Sequence, residues 1–394
     1  MLYLKSLNRS NLVLALTLAT GLVACGGAEK TPDEPVEEPP VTQDQGPSDD
    51  GPVDAGDDSQ VDSGDVIEEP PIDADMETGD DGQDAGVPSD ENPFSPELTG
   101  LQTNFEFMHD GLARKFHFYA PEGLIDGEAY PLVMLMHGHG GSSDQMLGLS
   151  GMKAPYRIWL DIAEREKVFI LVPEGVISPD DKLGWNDCRA DTVTNPSTDD
   201  VGFLVGLSEA MADVYPIDEN RFYASGTSNG GHMSLRLAIE AGEHFAAVAP
   251  LLAALPTDSN CSEPDTQVAL MLINGTNDEI LPYDGGQVAG SRGGVFSTLD
   301  TIATWRTLNQ NTAEASVRNL PDINTEDEST VVRTDYAGPT QLQDVTLVTI
   351  DGGGHTVPSI EEQYSNFYER LVGTQNHDVE MAELVWGFLK DKAR

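Results

Sequence analysis

The stretch RFYASGTSNGGHMSLRLA, residues 221–238, decides the fold. RFYAS is predicted to be a strand, and the residues from Gly231 onward have helical spacing. Between them lies the G-x-S-x-G motif centred on Ser228. A serine held on a sharp turn between a strand and a helix exposes its hydroxyl at the edge of a sheet. The motif in this setting predicts a nucleophile, the alternative being a loop of small residues without chemistry.

Outward from this stretch, strands and helices alternate along the chain. Strands are predicted at 104–108 and 115–119 (a hairpin around Asp110-Gly111), 131–136, 168–172, 245–252, 268–273 and 345–350, and helices at 153–167, 199–214, 295–308 and 378–392. This alternation predicts an α/β fold with a mostly parallel central sheet covered by helices on both faces. Because right-handed crossovers bring the carboxyl ends of such strands to one edge, we expect the chemistry just after strands.

Two further residues follow strands in that way. Asp278 comes one short loop after the strand at 268–273, and His355 follows the strand at 345–350 after three glycines. A nucleophilic serine needs a base and a group that orients the base. In α/β-hydrolases they follow in the order serine, acid, histidine. Ser228, Asp278 and His355 are therefore predicted to form a catalytic triad.

Asp278 and His355 each have a simpler interpretation as well. Asp278 could be a turn residue and His355 a surface histidine, and Asp284 and Asp351 are rival acids. Asp351 is too close to His355 in sequence to lie beneath the imidazole without a sharp reversal, and Asp284 lies further from its strand. We therefore expect Asp278 to be the acid.

The turn after the strand at 131–136 is His137-Gly138-His139-Gly140-Gly141. Together with the N–H of Asn229, the backbone N–H of His139 is predicted to complete an oxyanion hole, with Gly140 as the next choice. His137 and His139 also have zinc-like spacing, but we find no third ligand placed to complete a site. No metal and no cofactor are expected.

The N-terminal residues 1–25 have the features of an export signal. Two basic residues precede the apolar run Leu12–Ala24, whose 13 residues are fewer than the roughly 20 that span a bilayer. The sequence Leu-Val-Ala-Cys-Gly that ends this region resembles the bacterial lipobox, in which Cys25 is acylated. Gly26 after the cysteine favours sorting to the outer membrane or cell surface. The alternative is an ordinary signal peptide with a chance cysteine.

Residues 26–96 differ sharply from the rest of the chain. They carry 23 acidic side chains and one basic side chain, and they are rich in Pro, Gly and Ser. Such a segment cannot bury enough apolar surface to offset the entropy of ordering, so we expect a disordered acidic linker. Residues 97–394 are expected to form one catalytic domain. Because the whole chain has a formal net charge of −47, nucleic acid is not expected as a partner.

With Cys25 assigned to lipid, two cysteines remain, Cys188 and Cys261. Disulfides persist in proteins outside the cytoplasm. We therefore expect a Cys188–Cys261 disulfide, and the alternative is a pair of free thiols.

Taken together, the motifs resemble those of one family. They are, in order, PLVMLMHGHGGS (131–142), GWNDC (184–188), DDVGF (199–203), RFYASGTSNGGHMSLRLA (221–238), INGTNDEILPYDGG (273–286), DGGGHTVPS (351–359) and NHDVEMAELVWGFL (376–389). This set is similar to secreted esterases that include polyhydroxybutyrate depolymerases, feruloyl esterases and LpqC-like lipoproteins. The resemblance implies an α/β-hydrolase fold without a large lid, acting on esters of hydroxy acids or hydroxycinnamates.

The resemblance also assigns Trp185 and Asn186 to the rim of the substrate cleft. Trp185 is then a flat platform for substrate, or it only packs within its loop; the sequence favours neither. Family members commonly have tryptophan where this chain has Val357, and they often carry a paired cysteine near the Trp-Asn loop. Both departures bear on substrate choice.

Two other functions stay open from the sequence. One is a serine peptidase of the same fold, although no repeat of the propeller type that such peptidases often add is present. The other is a surface lipoprotein that keeps the fold only as a binding module. The favoured partners are an ester substrate and, through the lipid anchor, a membrane.

Overall fold

The computed structural model describes residues 97–262 and 264–394. The predicted signal segment 1–25, its lipobox Cys25 and the predicted linker 26–96 lie outside these residues. Of the helices in the described ranges, none combines the length and the apolar character needed to cross a membrane.

A ten-stranded sheet runs through the described part of the chain, with two small two-stranded sheets beside it. The strands are β1 (Gly100–His109), β2 (Leu112–Ala120), β3 (Tyr130–Met136), β4 (Phe169–Pro173), β5 (Val176–Ile177), β6 (Leu183–Gly184), β7 (Ile217–Thr227), β8 (Ala247–Leu251), β9 (Ala269–Gly275), β10 (Gly286–Gln287), β11 (Gly294–Val295), β12 (Ser316–Asn319), β13 (Thr330–Tyr336) and β14 (Val345–Asp351). The large sheet has the order β1-β2-β4-β3-β7-β8-β9-β14-β13-β12. Strands from β4 to β14 in that order pair in parallel, whereas the two outermost pairs at each side of the sheet are antiparallel.

Helices cover both faces of this sheet. They are α1 (Ser143–Met146), α2 (Ile158–Glu166), α3 (Asp200–Ala212), α4 (Asn229–Glu240), α5 (Thr298–Leu308), α6 (Asn366–Val372) and α7 (Met381–Leu389), with 3₁₀ turns at Pro155–Arg157 and Gln341–Gln343. One apolar cluster joins α3, α4 and α5 to Leu132 and Met134 of β3. The other joins α2 and α7 to Val133 and Leu135 of the same strand. Successive side chains of a strand point to opposite faces, so β3 supplies both cores.

These observations confirm the predicted fold class. The apolar run in β3 is buried on both faces, as expected for a strand in the middle of a parallel sheet. The hairpin between β1 and β2 turns at Asp110 and Gly111, whose φ angles are 49° and 77°. Two positive φ angles in a row are the requirement of the tight hairpin turn that an Asp-Gly pair favours.

The main differences from the sequence prediction lie at one edge of the sheet and at helix starts. Strand β12 is exposed along its length and β13 is largely half-buried, so neither has the apolar pattern by which a strand is recognised. Helix α5 begins at Thr298 rather than at Val295, because Gly294–Val295 pairs as β11 and Ser297 caps the helix with its side chain.

The structure contains a disulfide between Cys188 and Cys261, whose Cα atoms lie 5.2 Å apart. It joins the loop after β6 to the loop after β8. Backbone hydrogen bonds run alongside it, from Asn260 N to Cys188 O (3.1 Å) and from Ala190 N to Asp258 O (3.0 Å). Two loops at the carboxyl edge of the sheet are therefore held together.

Replacing both cysteines by serine is expected to lower the free energy of unfolding. The bond closes a loop across a sequence separation of 73 residues, and the chain entropy removed from the unfolded state corresponds to about 4 kcal/mol. Urea unfolding of the oxidised protein, the reduced protein and the Cys188→Ser/Cys261→Ser variant measures the effect. The reduced protein and the variant should agree. Equal stability of all three, or free alkylation of both thiols without a reductant, would contradict the disulfide.

Candidate active site

Ser228 lies on a sharp turn between the end of β7 and the start of α4. Its backbone has φ 55° and ψ −118°, a conformation that side-chain-bearing residues rarely adopt. The Ser228 N–H donates to Leu251 O of the neighbouring strand β8 at 2.9 Å. A strained backbone persists only where its surroundings hold it in place. Here the sheet itself holds the serine at its carboxyl edge.

Two glycines allow the helix to approach the sheet this closely. A Cβ atom on Gly230 would collide with the carbonyl oxygen of Met136 in β3. A Cβ atom on Gly231 would collide with the carbonyl oxygen of Leu251 in β8. Because both obstacles are backbone atoms, no side-chain movement relieves them. The glycines of the motif are therefore required by the packing of α4 against both strands.

His355 and Asp278 form a direct pair. His355 Nδ1 lies 2.6 Å from Asp278 Oδ2. The other oxygen of this carboxylate accepts hydrogen bonds from the N–H groups of Ile280 (2.8 Å) and Leu281 (2.7 Å). Only 1% of the Asp278 side chain is exposed. With Nδ1–H donating to the carboxylate, Nε2 is the basic nitrogen of the imidazole.

The loops that carry this pair meet because β9 and β14 are parallel neighbours. Asn277 N donates to Gly353 O at 2.9 Å, and Thr276 N donates to Ile350 O at 3.0 Å. The His355 N–H donates to Val372 O, at the end of α6, at 2.6 Å. The main chain thus fixes the acid and the base against each other.

The rival acids lie elsewhere. Asp351 is exposed and accepts a hydrogen bond from Thr276 Oγ1 at 3.1 Å. Asp284 is exposed in the loop before β10. Of the three candidate aspartates, the structure brings Asp278 to His355.

Ser228 and His355 both follow carboxyl ends of parallel strands, β7 and β14. Among the described residues no hydrogen bond joins Ser228 Oγ to the imidazole. Such bonds are often long before substrate binds and shorten in the reacting complex. His232 lies one turn along α4 from Ser228 and is buried. Burial lowers the pKa of His232 to about 3, and the charges of Arg189 and His355 act in the same direction.

The start of α4 and the turn after β3 flank the serine. Asn229 is the first residue of α4, and the first amides of a helix have no acceptor within it. On the other side, a Cβ atom on Gly138 would lie 3.4 Å from Ser228 Cβ, so the turn after β3 packs against the serine. Gly140 N donates to Leu183 O at 2.8 Å. The Gly140 N–H, the second choice of the sequence prediction, is therefore occupied within the protein.

His137 at the start of the same turn is held by the main chain. Its Nδ1 bonds to Gly138 O at 2.8 Å, and its Nε2 accepts from Gly175 N at 3.0 Å. Burial lowers the pKa of His137 to about 4, so the ring is neutral near pH 7. Its neighbour His139 pairs through Nε2 with Asp180 at 2.9 Å. Both nitrogens of His137 are engaged, which leaves neither for a metal.

One group of metal-type ligands occurs in the described ranges, far from the serine in sequence. It consists of His109, Asp110 and Asp199, at the end of the β1–β2 hairpin and the start of α3. His109 Nε2 lies 3.3 Å from Asp199 Oδ2, within hydrogen-bond distance.

Of the two interpretations left open for Trp185, the structure favours packing within its loop. Its side chain is fully buried (0% exposed), and Nε1 donates to His137 O at 2.9 Å beneath the turn after β3. The second predicted rim residue, Asn186, is also occupied internally. Its side-chain amide donates to Thr198 O (2.8 Å) and its N–H to Asp200 Oδ2 (2.7 Å). Both residues hold the loop in place, Trp185 through its ring N–H and Asn186 through its backbone N–H and side-chain NH₂.

Comparison with known proteins gives sequence relatives named as esterases, while no family model matches the sequence. NocK of Nocardia uniformis subsp. tsuyamanensis, named as an esterase, is 27% identical over 309 residues, 75% of this chain and 84% of NocK. Feruloyl esterase C of Emericella nidulans is 27% identical over 173 residues, 44% of this chain and 58% of that protein. The solved acetyl xylan esterase from Aspergillus awamori matches with a TM-score of 0.45 and 14% identity, over 69% of this chain and 98% of that one. The sequence relatives agree with the resemblance indicated by the motifs.

Asp278→Asn is expected to lower kcat for a nitrophenyl ester by about 10⁴, because the amide no longer fixes the tautomer of His355 or stabilises its charged form. Steady-state kinetics with p-nitrophenyl butyrate measure the loss. Asp351→Asn and Asp284→Asn are the matched controls and should keep kcat within a few-fold of the unaltered protein. Near-normal kcat in Asp278→Asn would move the acid to another residue.

Proposed function

We propose that this chain, a carboxylic ester hydrolase of the α/β-hydrolase fold, cleaves esters of hydroxyalkanoic or hydroxycinnamic acids through an acyl-enzyme on Ser228. The observation that carries the proposal is the 2.6 Å contact of His355 with the buried Asp278, at the sheet edge where the Ser228 turn also lies. An imidazole oriented by a carboxylate and a serine on a strained turn, both at the carboxyl edge of one parallel sheet, are the groups that acyl transfer requires.

In the proposed first step, His355 Nε2 takes the proton of Ser228 as Oγ attacks the ester carbonyl carbon. Asp278 keeps the imidazole in the required tautomer and stabilises its protonated form. The imidazolium then gives its proton to the departing alcohol, and the C–O ester bond breaks. Water, deprotonated by the same imidazole, attacks the acyl-enzyme, and the acid product leaves as Ser228 regains its proton.

The N–H groups of Asn229 and His139 receive the oxyanion of each tetrahedral intermediate. Fixed backbone donors stabilise charge that develops only in the transition state, and the loss of one such donor typically costs 10²–10³ in kcat. The first turn of α4 adds the positive end of its dipole on the same side.

The substrate class rests on the motif resemblance and on the relatives' names, one of which is a feruloyl esterase. Trp185 supplies no aromatic surface, since it is buried. Val357 stands where the family that the motifs resemble commonly has tryptophan, and it packs into the apolar core at 3% exposure. The substrate therefore meets a site without these two aromatic side chains, which favours recognition of the acid by other parts of the rim.

A panel of esters with the same leaving group tests this proposal. The purified protein should hydrolyse methyl ferulate or methyl 3-hydroxybutyrate with kcat/KM at least ten times that for methyl acetate, and Ser228→Ala should lower kcat by several orders of magnitude. Acetylated xylan and hydroxybutyrate oligomers extend the panel to polymeric substrates. Cleavage of a peptide p-nitroanilide in preference to every ester would favour a peptidase. If the protein hydrolyses none of these substrates, the result would favour a non-catalytic binding protein of this fold.

The proposal also includes export and lipid anchoring. It rests on the signal-like residues 1–25, on Cys25 in its lipobox-like context and on the acidic residues 26–96, which would separate a catalytic domain from a membrane. Gly26 after the cysteine favours the outer membrane or cell surface.

Expression of the full-length chain in a Gram-negative host tests the anchor. The protein should incorporate a palmitate analogue and sediment with membranes, whereas Cys25→Ser should lose the label and remain in the soluble fraction. Cys188→Ser is the control, because it removes a cysteine without touching the lipobox. Unchanged labelling in Cys25→Ser would contradict lipidation at this residue.

A further inference from the structure

A buried ion pair lies beside Asn229, and the mechanism above does not use it. Asp187 is completely buried, and Arg189 is 3% exposed. Arg189 Nη2 donates to Asp187 Oδ2 at 2.5 Å, and Nε bridges both carboxylate oxygens at 3.0 and 3.2 Å. Burial alone would raise the pKa of Asp187, but the charge and hydrogen bonds of Arg189 hold it well below its usual range. The carboxylate is therefore ionised.

The side chain of Asn229 is bound on all its polar positions. Its Oδ1 accepts from Trp185 N at 2.7 Å. Its Nδ2 donates to Trp185 O at 3.0 Å and to Asp187 Oδ2 at 2.7 Å. A side-chain amide has one acceptor oxygen and two donor hydrogens, so this set uses each of them. Because the backbone N–H of Asn229 is the first oxyanion donor, these bonds also fix the position of that donor.

The same segment holds the second donor. Leu183 O accepts from Gly140 N, the residue after His139, at 2.8 Å. Trp185 Nε1 donates to His137 O at 2.9 Å, two residues before His139. Residues 183–187 therefore contact the turn on one side of Ser228 and the helix start on the other. We call these five residues the oxyanion brace.

The brace is itself tied to the rest of the domain. Arg189 Nη1 donates to Arg292 O at 2.7 Å, and Asn195 Nδ2 donates to Asp187 Oδ1 at 3.1 Å. Cys188, between the two charged residues, forms the disulfide with Cys261. A fully satisfied buried polar network is rigid, whereas removal of one member leaves a costly unpaired group.

We propose that Asp187 is a positioning residue for catalysis. The ion pair with Arg189 fixes Asp187, and the hydrogen bond from the Asn229 side chain to Asp187 fixes the Asn229 N–H relative to the His139 N–H. This spacing of the two N–H groups determines how well the oxyanion hole fits the tetrahedral intermediate. The proposal rests on the proposed function of Ser228. It gives the buried charges a role beyond stabilising the fold, because the segment they hold contacts both donor-bearing elements.

The test compares Asn229→Ala, Asp187→Asn and the double variant. Asn229→Ala keeps the backbone donor and the Asp187–Arg189 ion pair but removes the side chain that links them. A misplaced donor weakens transition-state binding more than substrate binding, so kcat should fall about 10- to 100-fold with KM nearly unchanged. Affinity for a trifluoromethyl ketone, which forms a tetrahedral adduct with serine, should fall by the same factor as kcat. The double variant should be no slower than the slower single variant, because both changes break one connection.

Asp344→Asn is the matched control. Asp344 pairs with Lys392 Nζ at 2.6 Å, just before β14 and thus at the opposite edge of the sheet. This variant should lose stability but keep kcat and the ketone affinity. Should Asp187→Asn fail to fold, Asn229→Ala alone decides the matter.

Normal kcat and ketone affinity in Asn229→Ala would overturn the positioning role. Additive losses of kcat in the double variant would also overturn it. So would a loss of kcat in Asp187→Asn that is fully explained by a smaller fraction of folded protein. These results differ from failure of the proposed function. In that case the unaltered protein turns over no ester, or Ser228→Ala keeps its activity.

Discussion

At its start, the backbone of helix α4 packs directly against the backbones of β3 and β8, and the rest of the site depends on that contact. Gly230 lies against the carbonyl oxygen of Met136, and Gly231 lies against that of Leu251, so the helix is held over β3 and β8 at once. Any side chain at either position would push the helix away from the sheet. Because the helix start cannot move, Ser228 is kept at φ 55° at the end of β7, and the first amide of α4 stays beside it.

The parallel sheet supplies the remaining parts. Parallel strands have their carboxyl ends on one edge, so loops far apart in sequence emerge together. Strands β9 and β14 are neighbours, and hydrogen bonds between the loops after them join Asp278 to His355. Strand β3 contributes the turn that carries His139. The disulfide and the oxyanion brace then connect this edge to the loops after β6 and β8.

Much of the site was predictable because it depends on short local patterns. A strand followed by a small-residue turn and a helix defines the place of Ser228 without reference to the rest of the chain. The same rule, applied after two later strands, selected Asp278 and His355, and parallel topology explains why they meet. The buried runs of β3 and β4 were recognisable for the same reason: a strand buried on both faces has no polar alternation.

Other features depend on contacts that no local pattern encodes. A loop tryptophan has the same sequence pattern whether it faces solvent or lies beneath another turn, so the burial of Trp185 could not be foreseen. The bond from Asp187 to Asn229 spans 42 residues of sequence. The only signal was opposite charges on both sides of Cys188, which is too short a pattern to indicate a buried ion pair. Strand β12 at the sheet edge is exposed and its neighbour β13 is largely half-buried, so both lack the apolar pattern and were missed.

The central claim is that Ser228 is the activated nucleophile. Intact mass measurement after treatment with a fluorophosphonate, followed by peptide mapping, tests it most directly. The account predicts one adduct per chain, located on Ser228, formed much more slowly in His355→Ala and absent in Ser228→Ala. An adduct on another residue, or no adduct on the folded protein, would contradict it.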